Sequence, residues 1–198
     1  MKHTAQVISV NRGQVAPLGP AGKASGIDKQ PVNEPATVGR LGMRGDEIAD
    51  LENHGGELKA LCVYAEEYYD YWKETLGIGH GPGAFGENIT TRGLLDDEVC
   101  VADVFALGDL RVQVAGPRKP CWKLAAHWGV KDMAVRAERE RKTGYYFRVM
   151  EGGMLAAGTE MKLLERPHPK WNIVAFWNLI DGAPAEEDEL QKFLTAEW

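Results

Sequence analysis

The chain has 198 residues, 44% of them hydrophobic and 26% charged, proportions ordinary for a folded domain with a full core. That length suits one domain with an appendage, or two small domains. A net charge of −6 argues against a broad basic face for nucleic acid, and no apolar run approaches the roughly 20 residues of a membrane helix.

Val7 to Val10 is a β-branched run that can open a sheet, and the Gly/Pro-rich stretch from Gly13 to Gly26 reads as a loop or hairpin. Leu41 to Glu47 and His54-Gly55-Gly56 read as turns, and Ala60 to Tyr64 as a short buried strand. Glu66 to Leu76 is the first convincing helix. Tyr64, Tyr68, Tyr71, Trp72 and Leu76 recur at three- and four-residue steps, opposite Glu67, Asp70 and Lys73. This aromatic stripe reads as core rather than as a ligand platform. Gly77 to Gly86 is glycine-rich and runs into Phe85-Gly86-Glu87-Asn88.

Val99 to Leu107 and Leu110 to Ala115 predict strands joined by a hairpin at Gly108-Asp109. Leu110, Val112 and Val114 alternate with Arg111 and Gln113, as in a strand with one buried face. Val130 to Lys142 returns to helical spacing. Tyr145 to Met150 and Met161 to Leu164 then predict strands around a turn at Glu151-Gly152-Gly153. Trp171 to Ile180 is a helical apolar pattern, and the acidic run Glu186 to Glu189 leads into Leu190 to Leu194. The expectation is a strand-rich α+β domain over residues 1–166, with residues 167–198 as a helical tail packed on it.

Met1 to Val10 carries polar residues throughout and lacks the apolar core of a secretory signal. Cys62, Cys100 and Cys121 cannot all pair within one chain and show no CxxC spacing, so a reduced, cytoplasmic setting is expected.

The chemistry concentrates at Gly116-Pro-Arg-Lys-Pro-Cys-Trp-Lys-Leu124. A thiol reacts, or binds a soft metal, as thiolate, and nearby cations favour that form. Arg118, Lys119 and Lys123 surround Cys121 in sequence, and two prolines restrict the approach to it. Cys62 and Cys100, inside apolar runs, read instead as small core residues. His54, before two glycines, is a candidate acid–base group, a ligand-positioning donor or a plain loop residue. Lys23, Lys29, Arg44 and Lys59 lie scattered through the first third. With Arg118 and Lys123 they could converge on a phosphate- or pterin-bearing ligand. Phe85 to Asn88 reads equally as a structural turn or a polar binding loop. The chain lacks a P-loop, a GxGxxG, an HExxH and a GxSxG element, and it lacks zinc-type Cys/His clustering.

These residues resemble the MOSC domain family, in its stand-alone bacterial branch. The family signature is close to Gln-Pro-Arg-x-Pro-Cys-x-Lys-Leu, and here Gly116 stands in the first place. Gly42-Met-Arg-Gly-Asp46, His54-Gly-Gly56 with Lys59-Ala-Leu61, Phe85-Gly-Glu-Asn88 and Tyr145 through Val149 agree in the same order. The resemblance implies a β-barrel with peripheral helices that binds the molybdenum cofactor (molybdopterin) or sulfur, with Cys121 as metal ligand or persulfide carrier. It also implies a lysine–cysteine–histidine grouping: Cys121, His54 and either Lys29 or Lys59, with Lys29 taken as catalytic and His168 as a weaker second histidine. Lys59, Arg118, Lys123, Gly55, Gly56 and Asn88 are then the expected cofactor-binding residues. The implied activity is reduction of small N-hydroxylated compounds such as hydroxylaminopurines, fed by an electron-donor protein. The alternative is a sulfur-carrier or cofactor-delivery module without turnover. Neither nucleic acid nor membrane is an expected partner, and Trp171, Trp177 and Trp198 in an apolar tail point to a homodimer.

Overall fold

The computed structural model describes residues 4–194. The long strand β1 (Thr4–Gly13) is followed by a small hairpin of β2 (Ala16–Leu18) and β3 (Lys23–Ser25), then by β4 (Lys29–Pro31). Another turn-back follows, β5 (Ala36–Gly39) and β6 (Gly42–Met43). The single-turn helix α1 (Leu51–His54) and a 3-10 turn at Glu57–Lys59 lead into β7 (Leu61–Ala65). Helix α2 (Glu67–Leu76) and a long loop reach β8 (Ile89–Arg92), and β9 (Val104–Leu107) pairs with β10 (Leu110–Pro117) in the expected hairpin. Helices α3 (Trp122–Trp128) and α4 (Met133–Arg139) precede β11 (Tyr145–Glu151), β12 (Gly153–Leu155) and β13 (Glu160–Glu165). Helices α5 (Ile173–Ile180) and α6 (Glu187–Leu194) complete the described chain.

Seven strands close into a barrel in the order β13-β9-β10-β11-β7-β8-β1, with β1 pairing back to β13 and β4 extending the far end of β1. Every neighbour is antiparallel except β7 and β8, whose parallel pairing requires the crossover that α2 supplies. The strand β7 shows how the layers arise. All five of its residues are buried, because Leu61 and Val63 join the barrel core while Tyr64 and Ala65 join a second cluster outside it. That outer cluster packs Tyr68, Tyr69 and Trp72 of α2 against Leu124, Trp128, Met133 and Ala137 of α3 and α4. Tyr64 stacks on Phe85 at 3.9 Å between ring centroids, and Trp72 Nε1 donates to its hydroxyl at 2.7 Å. The aromatic stripe is core.

Two sequence expectations are corrected. Val99 to Asp103 is a buried turn, not the first half of a strand, and β9 begins only at Val104. Ala102 adopts φ 68°, and the Asp103 carboxylate accepts the Cys100 amide at 2.9 Å, so the backbone polar groups are satisfied without a ladder. The helix expected over Val130 to Lys142 is the shorter α4, because residues 130–132 are spent on the connection from α3. The Gly13–Gly26 region is the β2–β3 hairpin.

Trp171, Ile173 and Trp177 belong to the barrel's own core cluster and are not displayed on the surface, and Trp198 lies outside the described residues. No helix among the described residues is long and apolar enough to cross a membrane.

Candidate functional site

At one end of the barrel, loops from five parts of the chain enclose a cleft of about 670 Å³, part of it open to solvent. Cys121 enters it because β10 ends at Pro117 and the chain turns through Pro120 into α3. Cys121 caps that helix in extended conformation, φ −133° and ψ 176°, with no side-chain capping bond, so its partly exposed sulfur stays free for the cleft. His54, the last residue of α1, meets it: Nε2 lies 3.9 Å from Cys121 Sγ. Burial lowers the His54 pKa below its ordinary value, and Lys123 lowers it further while Asp50 opposes.

Lys29, Lys59, Asn88, Arg118 and Lys123 all line the same cleft, joined by Lys119, Asp46, Cys62 and Tyr146. Five cationic side chains therefore face two carboxylates, Asp46 and Glu47, in a protein that is acidic overall. Arg118 is 7% exposed; its guanidinium lies 5.0 Å over the Phe85 ring, and its Nη1 is buried without a hydrogen-bond partner. A buried unpartnered guanidinium nitrogen is costly unless a ligand takes it up. Phe85 owes its position to the buried Glu87, which accepts the amides of Gly83 and Phe85 and the Tyr69 hydroxyl. The Phe85–Asn88 segment is thus a hydrogen-bonded turn that holds Phe85 beneath Arg118 while Gly86 and Asn88 line the cleft.

The remaining candidates sort by geometry. The Lys59 ammonium donates to the Asn53 carbonyl at 2.6 Å, at the rim. Lys29 is deep, ion-paired with Asp46. Asn88 braces the floor: its Oδ1 accepts the Cys62 amide at 3.1 Å and its Nδ2 donates to Asp46 Oδ2 at 2.9 Å. Gly55 and Gly56 do not line the cleft, and the Gly55 amide is engaged by the Leu51 carbonyl at 3.0 Å. Lys23, Arg44 and His168 are likewise outside its lining.

Sequence reasoning missed Asp46, Cys62 and Tyr146. Asp46 was within reach, as the acidic end of the Gly42–Asp46 segment. Cys62 read as core, and Tyr146 lay unremarked within the Tyr145–Val149 segment; the strand register of β7 against β11, which pairs them directly, brings them to this end of the barrel. Burial pushes the Cys62 thiol up to about 11. Among the described residues, no group of three or more His, Cys, Asp or Glu side chains could hold a metal ion. Any metal bound here would therefore bring ligands of its own.

The glycine at 116 has a local cause. It sits at φ +145° where the register of β10 against β11 shifts, a bulge that L side chains rarely tolerate.

Comparison with known proteins agrees with this architecture. The family model of the MOSC domain matches residues 50–162. The uncharacterized protein YflK of Bacillus subtilis is 44% identical over 162 residues, 81% of this chain and 73% of that protein. YiiM of Escherichia coli is 37% identical over 151 residues, 74% of this chain and 67% of its own. A Gibberella moniliformis protein named reductase is 34% identical over 154 residues, 76% of this chain but 27% of that much longer one. The crystal structure of YiiM from Geobacillus stearothermophilus superposes with a TM-score of 0.80 at 32% identity, covering 96% of this chain and 91% of that one. With its closed barrel, its loop cysteine, a family-model match over more than half the chain and bacterial relatives matched along most of their length, this chain belongs to the MOSC domain family.

Proposed function

We propose that this protein binds the molybdenum cofactor through Cys121 and the surrounding cations, and that it reduces small N-hydroxylated compounds. The observation that carries the reading is the pairing, in one cleft, of a free cysteine sulfur with the buried, unpartnered Nη1 of Arg118. The residues present fit such a group. A lone sulfur donor suits a soft metal that arrives with sulfur ligands of its own, and the cations suit an anionic pterin tail. MOSC domains are associated with this cofactor, and the fungal relative's name, reductase, supports a reductive role.

Bound there, the cofactor supplies metal-centred two-electron chemistry. The chain's own residues do the rest. Cys121 anchors; a thiol that ligates a metal is deprotonated. Arg118, Lys29, Lys59 and Lys123 hold negative charge at fixed points. His54, whose pKa burial and Lys123 lower toward the neutral ring, takes up or passes on a proton beside the sulfur. Conversion of R–NHOH to R–NH2 and water consumes two electrons and two protons, the electrons drawn from a donor protein.

The test is to purify the protein from cells that make the cofactor and measure metal by elemental analysis and pterin by fluorescence. Reduction of hydroxylaminopurine with a chemical donor is assayed alongside. Bound metal and pterin, both lost in a folded Cys121→Ser variant, are expected. Reduction that persists with neither bound overturns the reading.

A second reading draws on the partial exposure of Cys121: a persulfide carried on that sulfur and handed to a partner. Intact-mass analysis would then show a sulfur adduct, removable by a thiol reductant, and no turnover.

A further inference from the structure

Lys29 and Asp46 form a buried ion pair in the wall of the cleft, their side chains 7% and 8% exposed. Both lie outside residues 50–162, where the family model matches. Asp46 is held from three sides. Its Oδ1 accepts the Gly13 amide at 2.8 Å and the Lys29 ammonium, and its Oδ2 accepts Asn88 Nδ2 at 2.9 Å. The loop that carries Asp46 crosses the segment leading into β4, which begins at Lys29, at main-chain distance. A Cβ on Gly26 would fall 2.1 Å from the Glu47 carbonyl oxygen, so only glycine permits the crossing.

An ammonium has three donors, and the structure gives Lys29 one hydrogen-bond partner, Asp46. The others belong to a buried group on a cleft that also holds the unpartnered Arg118 nitrogen. A pair that served stability alone would gain from having every donor satisfied, since a buried ion pair scarcely repays its desolvation.

We propose that Asp46 is a positioning residue: pinned by Gly13 and Asn88, it fixes the Lys29 ammonium so that its free donors face an anionic ligand in the cleft. This rests on the reading of the cleft as an anion-binding cofactor site, and it adds the residue that makes the deep cation rigid. The idea has an unusual sign. Asp46 contributes negative charge, so electrostatics alone says that its removal tightens anion binding. Positioning says the reverse.

The experiment uses the full chain without cofactor. Inorganic phosphate binding is measured by calorimetry for wild type, Lys29→Met, Asp46→Asn, the double variant and Asn88→Ala, with thermal melts to confirm folding. In parallel, the Lys29 ammonium is observed by ¹H–¹⁵N NMR, assigned by its loss in Lys29→Met. Expected are a slowly exchanging Lys29 signal in wild type, lost in Asp46→Asn, and phosphate affinity about tenfold weaker in Lys29→Met and in Asp46→Asn. The double variant should be no weaker than either single one. Asn88→Ala, which unpins Asp46 and leaves every charge in place, should weaken phosphate in the same direction and covers the case of an unfolded Asp46→Asn. Tighter or unchanged binding in Asp46→Asn or Asn88→Ala overturns the proposal. So does a Lys29 signal that survives Asp46→Asn, or a wild type that fails to bind phosphate. Since neither readout needs metal or pterin, failure of the cofactor reading and failure of this inference can be told apart.

Discussion

Cys121 Sγ lies 3.9 Å from His54 Nε2, joining positions 67 residues apart at the mouth of a barrel. The environment of the ring lowers its pKa, first by burial and then by Lys123, with Asp50 pulling the other way. A histidine titration followed by NMR should therefore place His54 below the usual value near 6.5. Lys123→Gln should raise it and Asp50→Asn should lower it further. Identical titrations in all three proteins would remove the charge coupling assigned to this site.

The three thiols should separate by reactivity. Burial pushes Cys62 and Cys100 up to about 11, which leaves each on the order of one part in a thousand thiolate at pH 8. Cys121 alone is partly exposed. Native protein treated briefly with iodoacetamide should gain one adduct by intact mass, mapped to Cys121, and Cys121→Ser should gain none. A fast adduct on Cys62 would mean that the β7 end of the cleft is open.

Asp96 carries a pH signature. Its carboxylate accepts the amides of Thr143 and Gly144 at 3.1 and 3.0 Å, and the Gly144 carbonyl accepts the Arg118 amide at 3.0 Å. Burial nonetheless raises its pKa to about 6. The folded protein thus holds a proton that the unfolded chain releases near 3.9, and the stability due to this group falls as pH rises from about 4 through about 6. Asp96→Asn removes that dependence. Its stability relative to wild type, from urea unfolding, should improve by on the order of 2 to 3 kcal/mol between pH 4 and pH 7. A constant difference across that range would contradict the assigned burial.

Restoring the family's glutamine at position 116 should harm the protein. At φ +145° a side chain is strained, although nothing crowds a Cβ there. Gly116→Gln and Gly116→Ala should each cost about 1 to 3 kcal/mol, with similar values because the backbone is the cause. A neutral glutamine alongside a costly alanine would instead show that the glutamine amide makes a compensating bond.

We propose that residues beyond 166 cannot be removed without loss of the barrel. Trp177 is 4% exposed in the central cluster and donates to Thr143 Oγ1 at 3.0 Å. Trp177→Ala should cost about 3 to 5 kcal/mol by chemical denaturation. A chain cut after Arg166 should fail to give a cooperative unfolding transition. A cooperative, stable truncated barrel would make the tail a separate appendage.

Much of this was legible from residues alone. Alternation in Leu110–Val114 and three-to-four spacing in Tyr64–Leu76 each report one buried face, and both produced the expected elements. Val99–Asp103 misled because a buried turn is as apolar as a strand; its hydrogen bonds go to the distant loops around Trp171 and to Asp103's own side chain. At the site, Cys121 and Arg118 announced themselves by local chemistry. Asp46 did not, since a carboxylate in a polar loop looks solvated until Gly13, Lys29 and Asn88, contributed by three separate segments, are seen around it.

The pairing of β1 with β13 fixes when the molecule can be completed during synthesis. Thr4 to Gln6 find their β13 partners at Lys162 to Glu160, so the barrel stays open until residues about 155 positions further on have been made. Segments around Lys29 and Asp46 emerge early and wait, unpaired with their final surroundings, for those around Arg118 and Cys121. Closing the barrel is thus a late, long-range event, and the cleft at its mouth is completed only when both termini of the sheet have met.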